Sequence, residues 1–189
     1  VEQVPSLRAI PNVKVFRPAD AVETAVGWKV ALGSQDSPTA LVLTRQKTQA
    51  LDHSDATVAG AAKGGYVLKD AEGGNPEGIL LASGSEVDLA LAAQAKLAEQ
   101  GKQVRVVSMP CMELFEAQDA AYQQSVLPDS VGKRVAVEAA EPMSWYRYIG
   151  RDGATVAMNS FGESAPGDLL FEKFGFTADN VVQTYNGLG

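Results

Sequence analysis

The sequence predicts an α/β fold: a domain with a mostly parallel sheet and helices on both faces, preceded by a partial β-α-β piece of a second α/β domain. Two observations predict this class. Apolar runs of strand length alternate with helical stretches over residues 66–189, and a separate strand-helix-strand pattern lies near the start of the chain. The length of 189 residues suits one domain with part of another.

The first piece, residues 1–52, contains one β-α-β unit. A β-branched run over Val13–Arg17 stops at Pro18, and Asp20 then begins a helix with Glu23 at the capping-box position. A second strand follows over Thr39–Thr44. Because two strands do not form a stable sheet alone, and because the chain begins at Val1 rather than Met, we expect a piece excised from a longer polypeptide.

Residues 53–65 are polar or small and predict a linker running over the surface. Residues 66–189 then predict a complete domain, with its strands and helices in alternation. The predicted strands are Tyr66–Leu68, Gly78–Ala82, Val104–Ser108, Arg134–Glu138 and Ala154–Met158. One predicted helix begins at Ser85. The other predicted helices cover Glu113–Ser125, Ser144–Ile149, Pro166–Phe174 and Ala178–Tyr185.

Composition excludes several classes of function. Sixteen Lys and Arg against 23 Asp and Glu give a net charge of −7 without a concentrated basic face, which disfavours nucleic-acid binding. No apolar run approaches a membrane span and no signal peptide is recognisable, so we expect a cytoplasmic protein without membrane contact. Cys111 and His53 are the only residues of their types, which excludes an internal disulfide, a His/Cys metal cluster and a Ser-His-Asp triad.

Ligands of open α/β sheets bind at the carboxyl ends of the strands, which directs attention to Arg45-Gln46. The guanidinium of Arg45 follows a predicted strand and is suited to hold a phosphate or carboxylate through paired hydrogen bonds. An ordinary surface arginine is the simpler interpretation of the same pattern.

Other candidate groups have simpler structural interpretations. Ser83-Gly84-Ser85-Glu86 precedes a helix and suggests an anion site, but it lacks a Walker or dinucleotide motif and fits a capped turn. The carboxylates Glu138, Glu141 and Glu163 lie near the ends of the last strands and suggest acid-base chemistry. Nothing in their spacing shows that they converge, and solvated or helix-capping groups are the simpler interpretation.

The aromatic cluster Trp145, Tyr146 and Tyr148 lies beside Arg147 and Arg151, a pattern seen in base stacking. Packing against the sheet or at a subunit contact is the simpler interpretation. Cys111 has no basic neighbour and predicts a buried, unreactive thiol.

Beyond these patterns, the order of motifs resembles transketolase. The segments Arg17-Pro18-Ala19-Asp20 and Leu41-Val42-Leu43-Thr44-Arg45-Gln46 resemble the end of its pyrimidine-binding domain. The motifs that resemble its C-terminal domain are Gly64-Gly65-Tyr66, Gly84-Ser85-Glu86, Val104–Pro110, Ser125–Pro128, Val137-Glu138-Ala139 and Phe161–Pro166. The resemblance covers essentially the whole chain.

The resemblance implies a homodimeric enzyme that uses thiamine diphosphate and a divalent metal, Mg²⁺ or Ca²⁺, to move a two-carbon ketol unit between sugar phosphates of the pentose phosphate pathway. It implies that Arg45 holds the substrate phosphate. The family's catalytic, cofactor-binding and metal-binding residues lie upstream of this stretch, so none is assigned here and the 189-residue chain alone is expected to be inactive.

Two alternatives stay open at the level of sequence. Deoxyxylulose-phosphate synthases and dehydrogenase E1 components share the domain, although Arg45-Gln46 and Phe161–Pro166 look more like transketolase. A stand-alone regulatory or binding module that kept the fold without the chemistry is the rival of another class.

Overall fold

The computed structural model describes all 189 residues and places the strands in two separate sheets. The strands are β1 (Lys14–Phe16), β2 (Thr39–Leu41), β3 (Tyr66–Lys69), β4 (Gly78–Ala82), β5 (Val104–Ser108), β6 (Arg134–Glu138) and β7 (Ala154–Ala157). The helices are α1 (Gln3–Arg8), α2 (Ala21–Gly33), α3 (Asp55–Ala62), α4 (Glu86–Glu99), α5 (Met112–Glu116), α6 (Ala120–Val126), α7 (Tyr146–Ile149), α8 (Gly167–Lys173) and α9 (Ala178–Asn186).

The first sheet consists of β1 and β2, which pair in parallel with Val15 opposite Ala40. Helix α2 connects them, which confirms the predicted β-α-β unit. Asp20 accepts a hydrogen bond from the backbone N–H of Glu23 at 2.9 Å, as the capping pattern predicts. The Glu23 carboxylate, however, accepts from the N–H of Ala19 rather than that of Asp20. Asp20 is therefore the N-cap, as predicted, and only the reciprocal bond of the capping box is displaced to the preceding residue.

The second sheet has five strands in the order β3-β5-β4-β6-β7. Strands β5, β4, β6 and β7 pair in parallel, and β3 lies antiparallel to β5 at one edge. The sheet is therefore mostly parallel, as the fold class predicts. Since the carboxyl ends of β4 and β6 meet at one edge, Ser83 and Glu138 come together there.

Both faces of this sheet are buried. Alternate strand residues point to opposite sides, so Leu80 and Val106 pack with α4 and α9 in one apolar cluster. Ile79 and Leu81 point the other way and pack with Phe115, Trp145 and Tyr148 in a second cluster. Trp145 and Tyr148 therefore belong to the core, whereas Tyr146 is exposed.

The segment 53–65 differs from the surface connection that its composition predicts, because it contains helix α3. Ser54 and Thr57 form a capping box in which each side chain accepts the other residue's backbone N–H. Ala61 at the end of this helix is fully buried. A helix of small residues packs closely, since a Cβ added to Gly60 would lie 2.4 Å from the Cβ of Tyr66.

The helical stretch predicted over Glu113–Ser125 is divided into α5 and α6. Asp119 accepts from the backbone N–H of Tyr122 at 2.8 Å and begins the second helix. This second cap explains why the two helices are separate.

Candidate functional site

Arg45 lies beyond the carboxyl end of β2 on a tight turn. Thr44 fixes this turn, because its Oγ1 accepts the backbone N–H of Gln46 at 3.1 Å. Arg45 is exposed, and its guanidinium takes part in none of the chain's hydrogen bonds or ion pairs. Its five N–H donors are therefore free to bind an anion.

An open cleft of about 710 Å³ lies beside this turn. Thr44, Arg45 and Gln46 line one side, and Glu163, Ser164 and Ala165 line the other. The cleft thus lies between residues of the two-stranded unit and residues that follow the five-stranded sheet. Its volume is in the range of small-molecule sites.

A second polar cluster is buried where the two units meet, around Glu138 at the end of β6. Arg8 donates two hydrogen bonds to its carboxylate, at 2.7 and 2.8 Å, in a bidentate pair. Trp145 donates from Nε1 at 2.8 Å, and Ser83 donates from its hydroxyl. Glu138 has no exposed surface, so these four bonds replace its hydration completely.

Arg17 extends this cluster to the N-terminal end of α4. Its guanidinium pairs with Glu86 and donates to the backbone carbonyl of Ser83. Glu86 also accepts the backbone N–H of Ala139 at 3.2 Å. Arg8 and Arg17 belong to the first unit and their partners to the second, so the cluster joins the two units through charge-assisted bonds.

The candidate anion site at Ser83–Glu86 is therefore occupied by the protein itself. Ser83, Gly84 and Glu86 are buried, and a Cβ added to Gly84 would lie 2.5 Å from Nη1 of Arg17. The carboxylate of Glu86 and the guanidinium of Arg17 supply the charges that a bound anion and its counterion would otherwise supply. The loop is therefore part of the contact between the two units.

The three candidate carboxylates do not converge. Glu138 is buried in the cluster just described, Glu141 accepts the N–H of Met143 in a 3₁₀ turn, and Glu163 pairs with Lys173 at the cleft. The interpretation of Glu138 as a solvated or capping group is wrong, because sequence spacing gives no sign of a partner 130 residues away. Cys111 is a buried free thiol, as predicted, and burial raises its pKa to about 12.

Glu23 and Asp20 form a separate buried network between the units. The Glu23 carboxylate accepts hydrogen bonds from Tyr66 at 2.9 Å and Ser108 at 2.6 Å, while Asp20 contacts His53 at 3.0 Å. Burial raises the pKa of Glu23, although the bonds from Ser108, Ala19 and Tyr66 oppose the shift. Sequence analysis missed this network, because Glu23 alone reads as a capping residue.

Glu138 gives the chain a predictable pH dependence. Burial opposes its ionisation, but the charges and hydrogen bonds of Arg8, with Arg17 and Ser83, outweigh burial and lower the pKa of Glu138 to about 2. The pKa of an unfolded glutamate is about 4.3. Because the folded pKa is depressed, the stabilisation is complete above pH ~5 and is lost as the pH falls through ~2.

Urea unfolding of the chain from pH 6 to pH 2 measures this effect. The difference in unfolding free energy between the wild-type chain and Glu138→Gln is expected to shrink as the pH falls. Comparing the two chains removes the opposite contribution of Glu23, whose raised pKa makes its stabilisation greatest at low pH. A difference that stays constant down to pH 2 would show that folding does not lower the pKa of Glu138.

Comparison with known proteins identifies the family. The profile described as "Transketolase-like TK C-terminal domain" matches residues 64–177, and "Transketolase, pyrimidine binding domain" matches residues 1–50. The chain belongs to the transketolase family. The resemblance seen in the motifs is thereby confirmed.

Individual relatives agree with this assignment. "Transketolase 1" of Escherichia coli K12 is 56% identical over 182 residues, which is 96% of this chain and 27% of that protein. The transketolase structure from Leishmania mexicana superposes with a TM-score of 0.91 at 45% identity, covering 100% of this chain and 27% of that one. The chain therefore spans about 27% of the length of these transketolases.

A Pichia stipitis transketolase was solved in complex with sedoheptulose 7-phosphate; it has a TM-score of 0.89 at 36% identity, covering 98% of this chain and 27% of that one. That relative therefore binds a sugar phosphate. None of the helices in the present chain has both the length and the apolar character needed to cross a membrane.

Proposed function

We propose that this chain is the C-terminal part of a thiamine-diphosphate-dependent transketolase that moves a two-carbon ketol unit between sugar phosphates. The enzyme acts as a cytoplasmic homodimer in the pentose phosphate pathway. The domains are a remnant of the pyrimidine-binding domain at 1–52, a linker at 53–65 that contains helix α3, and the C-terminal domain at 66–189. The matched family ranges, 1–50 and 64–177, support these boundaries.

One structural observation carries the proposal: Arg45 presents an unpaired guanidinium to an open cleft at the carboxyl end of β2. A sugar phosphate needs a cation that can bind its phosphate through paired hydrogen bonds and space for its polyhydroxyl chain. The Arg45 guanidinium and the cleft provide these two features. The relative solved with sedoheptulose 7-phosphate supports a substrate of this class.

The residues of this chain do not fit the divalent metal of the family. No group of three or more His, Cys, Asp or Glu side chains is arranged to hold a metal ion. We propose that residues outside this chain hold Mg²⁺ or Ca²⁺ and thiamine diphosphate. Thiamine diphosphate supplies the carbanion chemistry when it is bound.

The chain's own contribution is to bind and orient the substrate. Arg45 holds the phosphate, and the Thr44–Gln46 turn fixes the backbone from which its side chain extends. The Glu138 cluster keeps the unit that carries Arg45 in place against the second unit. The 189-residue chain alone is expected neither to catalyse ketol transfer nor to bind thiamine diphosphate, and saturable thiamine diphosphate binding in calorimetry would contradict this.

Arg45→Ala in the full-length enzyme is expected to raise KM for phosphorylated substrates about 10- to 100-fold, since a hydrogen bond to a charged group contributes about 1.5–3 kcal/mol. Steady-state kinetics with xylulose 5-phosphate and ribose 5-phosphate measure this. Arg151→Ala is the matched control, because the Arg151 side chain is exposed, forms no hydrogen bond or ion pair and is not part of the cleft. Equal KM values for Arg45→Ala and the wild type would remove Arg45 from the site.

A further inference from the structure

The segment from Asn159 to Pro166, here called the strap, runs between β7 and α8 across the cleft from Arg45. Every residue of the strap is exposed. No backbone hydrogen bond joins residues 159–165 to the rest of the chain. At its end the strap approaches the Arg45 turn, because a Cβ added to Gly167 would lie 3.2 Å from Nε2 of Gln46.

The strap offers hydrogen-bond donors to the cleft. The hydroxyl of Ser164 and the backbone N–H groups of Glu163, Ser164 and Ala165 have no acceptor within the chain. Arg45 offers its free donors from the opposite side. A ligand rich in acceptor oxygens, as a sugar phosphate is, would therefore find donors on both walls.

Glu163 lines the same cleft, and its negative charge would repel an anionic ligand. Lys173, the last residue of α8, resolves the conflict: its Nζ donates to both Glu163 oxygens at 2.6 Å. The two side chains are 50% and 56% exposed, so the pair contributes little to folding stability. The Lys173–Glu163 pair does, however, cancel the negative charge of the strap, so the positive charge of Arg45 remains uncompensated.

We propose that the strap forms the second wall of the sugar-phosphate site, and that Lys173 determines specificity by neutralising Glu163 so that the phosphorylated end of the substrate is accepted. This inference rests on the function proposed above. Ser164 takes part as a direct donor to the substrate. The C-terminal unit thus contributes to substrate choice as well as to the fold.

The test uses the full-length enzyme and the ratio of kcat/KM for a phosphorylated ketose donor to that for an unphosphorylated one. Lys173→Met removes the positive charge that pairs with Glu163, so the Glu163 carboxylate repels the phosphate. The variant is expected to lower this ratio roughly two- to fivefold. Glu163→Gln leaves Lys173 positive and is expected to raise it. The double variant is expected to return to the wild-type ratio or above it, because no negative charge remains to be neutralised.

Lys96→Met is the matched control, since Lys96 forms a similarly exposed ion pair with Asp179 on the surface of α4 and α9. It is expected to keep the wild-type ratio. Ser164→Ala is expected to lower the ratio roughly threefold or more through the lost donor. The effect of Lys173→Met is expected to weaken as salt is added, because exposed charges are screened.

The outcomes separate the two levels of the proposal. A wild-type enzyme without ketol transfer overturns both the proposed function and this inference. An active wild type whose donor ratio is unchanged in Lys173→Met and Ser164→Ala overturns the inference alone. A ratio that falls in Lys173→Met and stays low in the double variant shows disruption of the strap and overturns the neutralising role of Lys173.

Discussion

Replacing Glu138 with Gln is expected to lower the free energy of unfolding of the chain by about 3–5 kcal/mol, the usual cost of breaking a buried ion pair on one side. All four hydrogen-bond partners of the carboxylate are donors: two Arg8 nitrogens, the Ser83 hydroxyl and the Trp145 indole. A glutamine amide has the same shape but turns its NH₂ group toward donors, and it leaves Arg8 buried without a counter-charge. Urea denaturation followed by tryptophan fluorescence measures the loss.

Asp179→Asn provides the control for the Glu138 variant. Asp179 also pairs with a cation, Lys96, but its side chain is 82% exposed. Its loss is expected to change stability by less than about 1 kcal/mol. If both variants unfold at the same urea concentration as the wild type, the buried cluster does not stabilise the joint between the two units.

Gly64→Ala is the second substitution with a large expected effect. Gly64 has φ +89°, a conformation that strains an L-residue, and an added Cβ would lie 2.2 Å from the carbonyl oxygen of Cys111 and 2.5 Å from the nitrogen of Phe115. Both neighbours are backbone atoms that cannot rotate away. We expect a loss of about 3 kcal/mol or more, combining backbone strain with overpacking, measured by the same denaturation.

Gly73→Ala isolates the steric part of this effect. Gly73 has φ +78°, close to that of Gly64, but an added Cβ would meet no atom within 4 Å. The loss at Gly73 is expected to be about 1–2 kcal/mol, the cost of the backbone conformation alone. Similar losses of unfolding free energy at both glycines would mean that the close contact between Gly64, just before β3, and the backbone of α5 relaxes at no cost.

Local sequence patterns were sufficient to predict the β-α-β unit and the alternating elements of the second unit. The run Gly78–Ala82 is uniformly apolar and Val104–Ser108 contains three valines, and the structure buries every residue of both strands. Helix α3 was missed because small residues following Asp52 and His53 resemble a linker. The Ser54–Thr57 capping pair was the signal that could have revealed it.

Contacts between residues that are far apart in the sequence cannot be predicted from local patterns. The antiparallel direction of β3 depends on how the chain returns to the sheet edge, which no local pattern records. Glu138 and Arg8 are 130 residues apart, and Glu23 and Ser108 are 85 apart, so the buried networks appear only in three dimensions. Likewise, the strap and Arg45 are neighbours only because the two units pack together.

Ketol transfer from xylulose 5-phosphate to ribose 5-phosphate, with thiamine diphosphate and magnesium, tests most directly whether this chain is the C-terminal part of a transketolase. The assay compares the full-length parent polypeptide with the chain from Val1 to Gly189. Activity in the parent and none in the isolated chain is the expected result. Absence of transfer in the parent would contradict the proposed function and favour a regulatory module of the same fold.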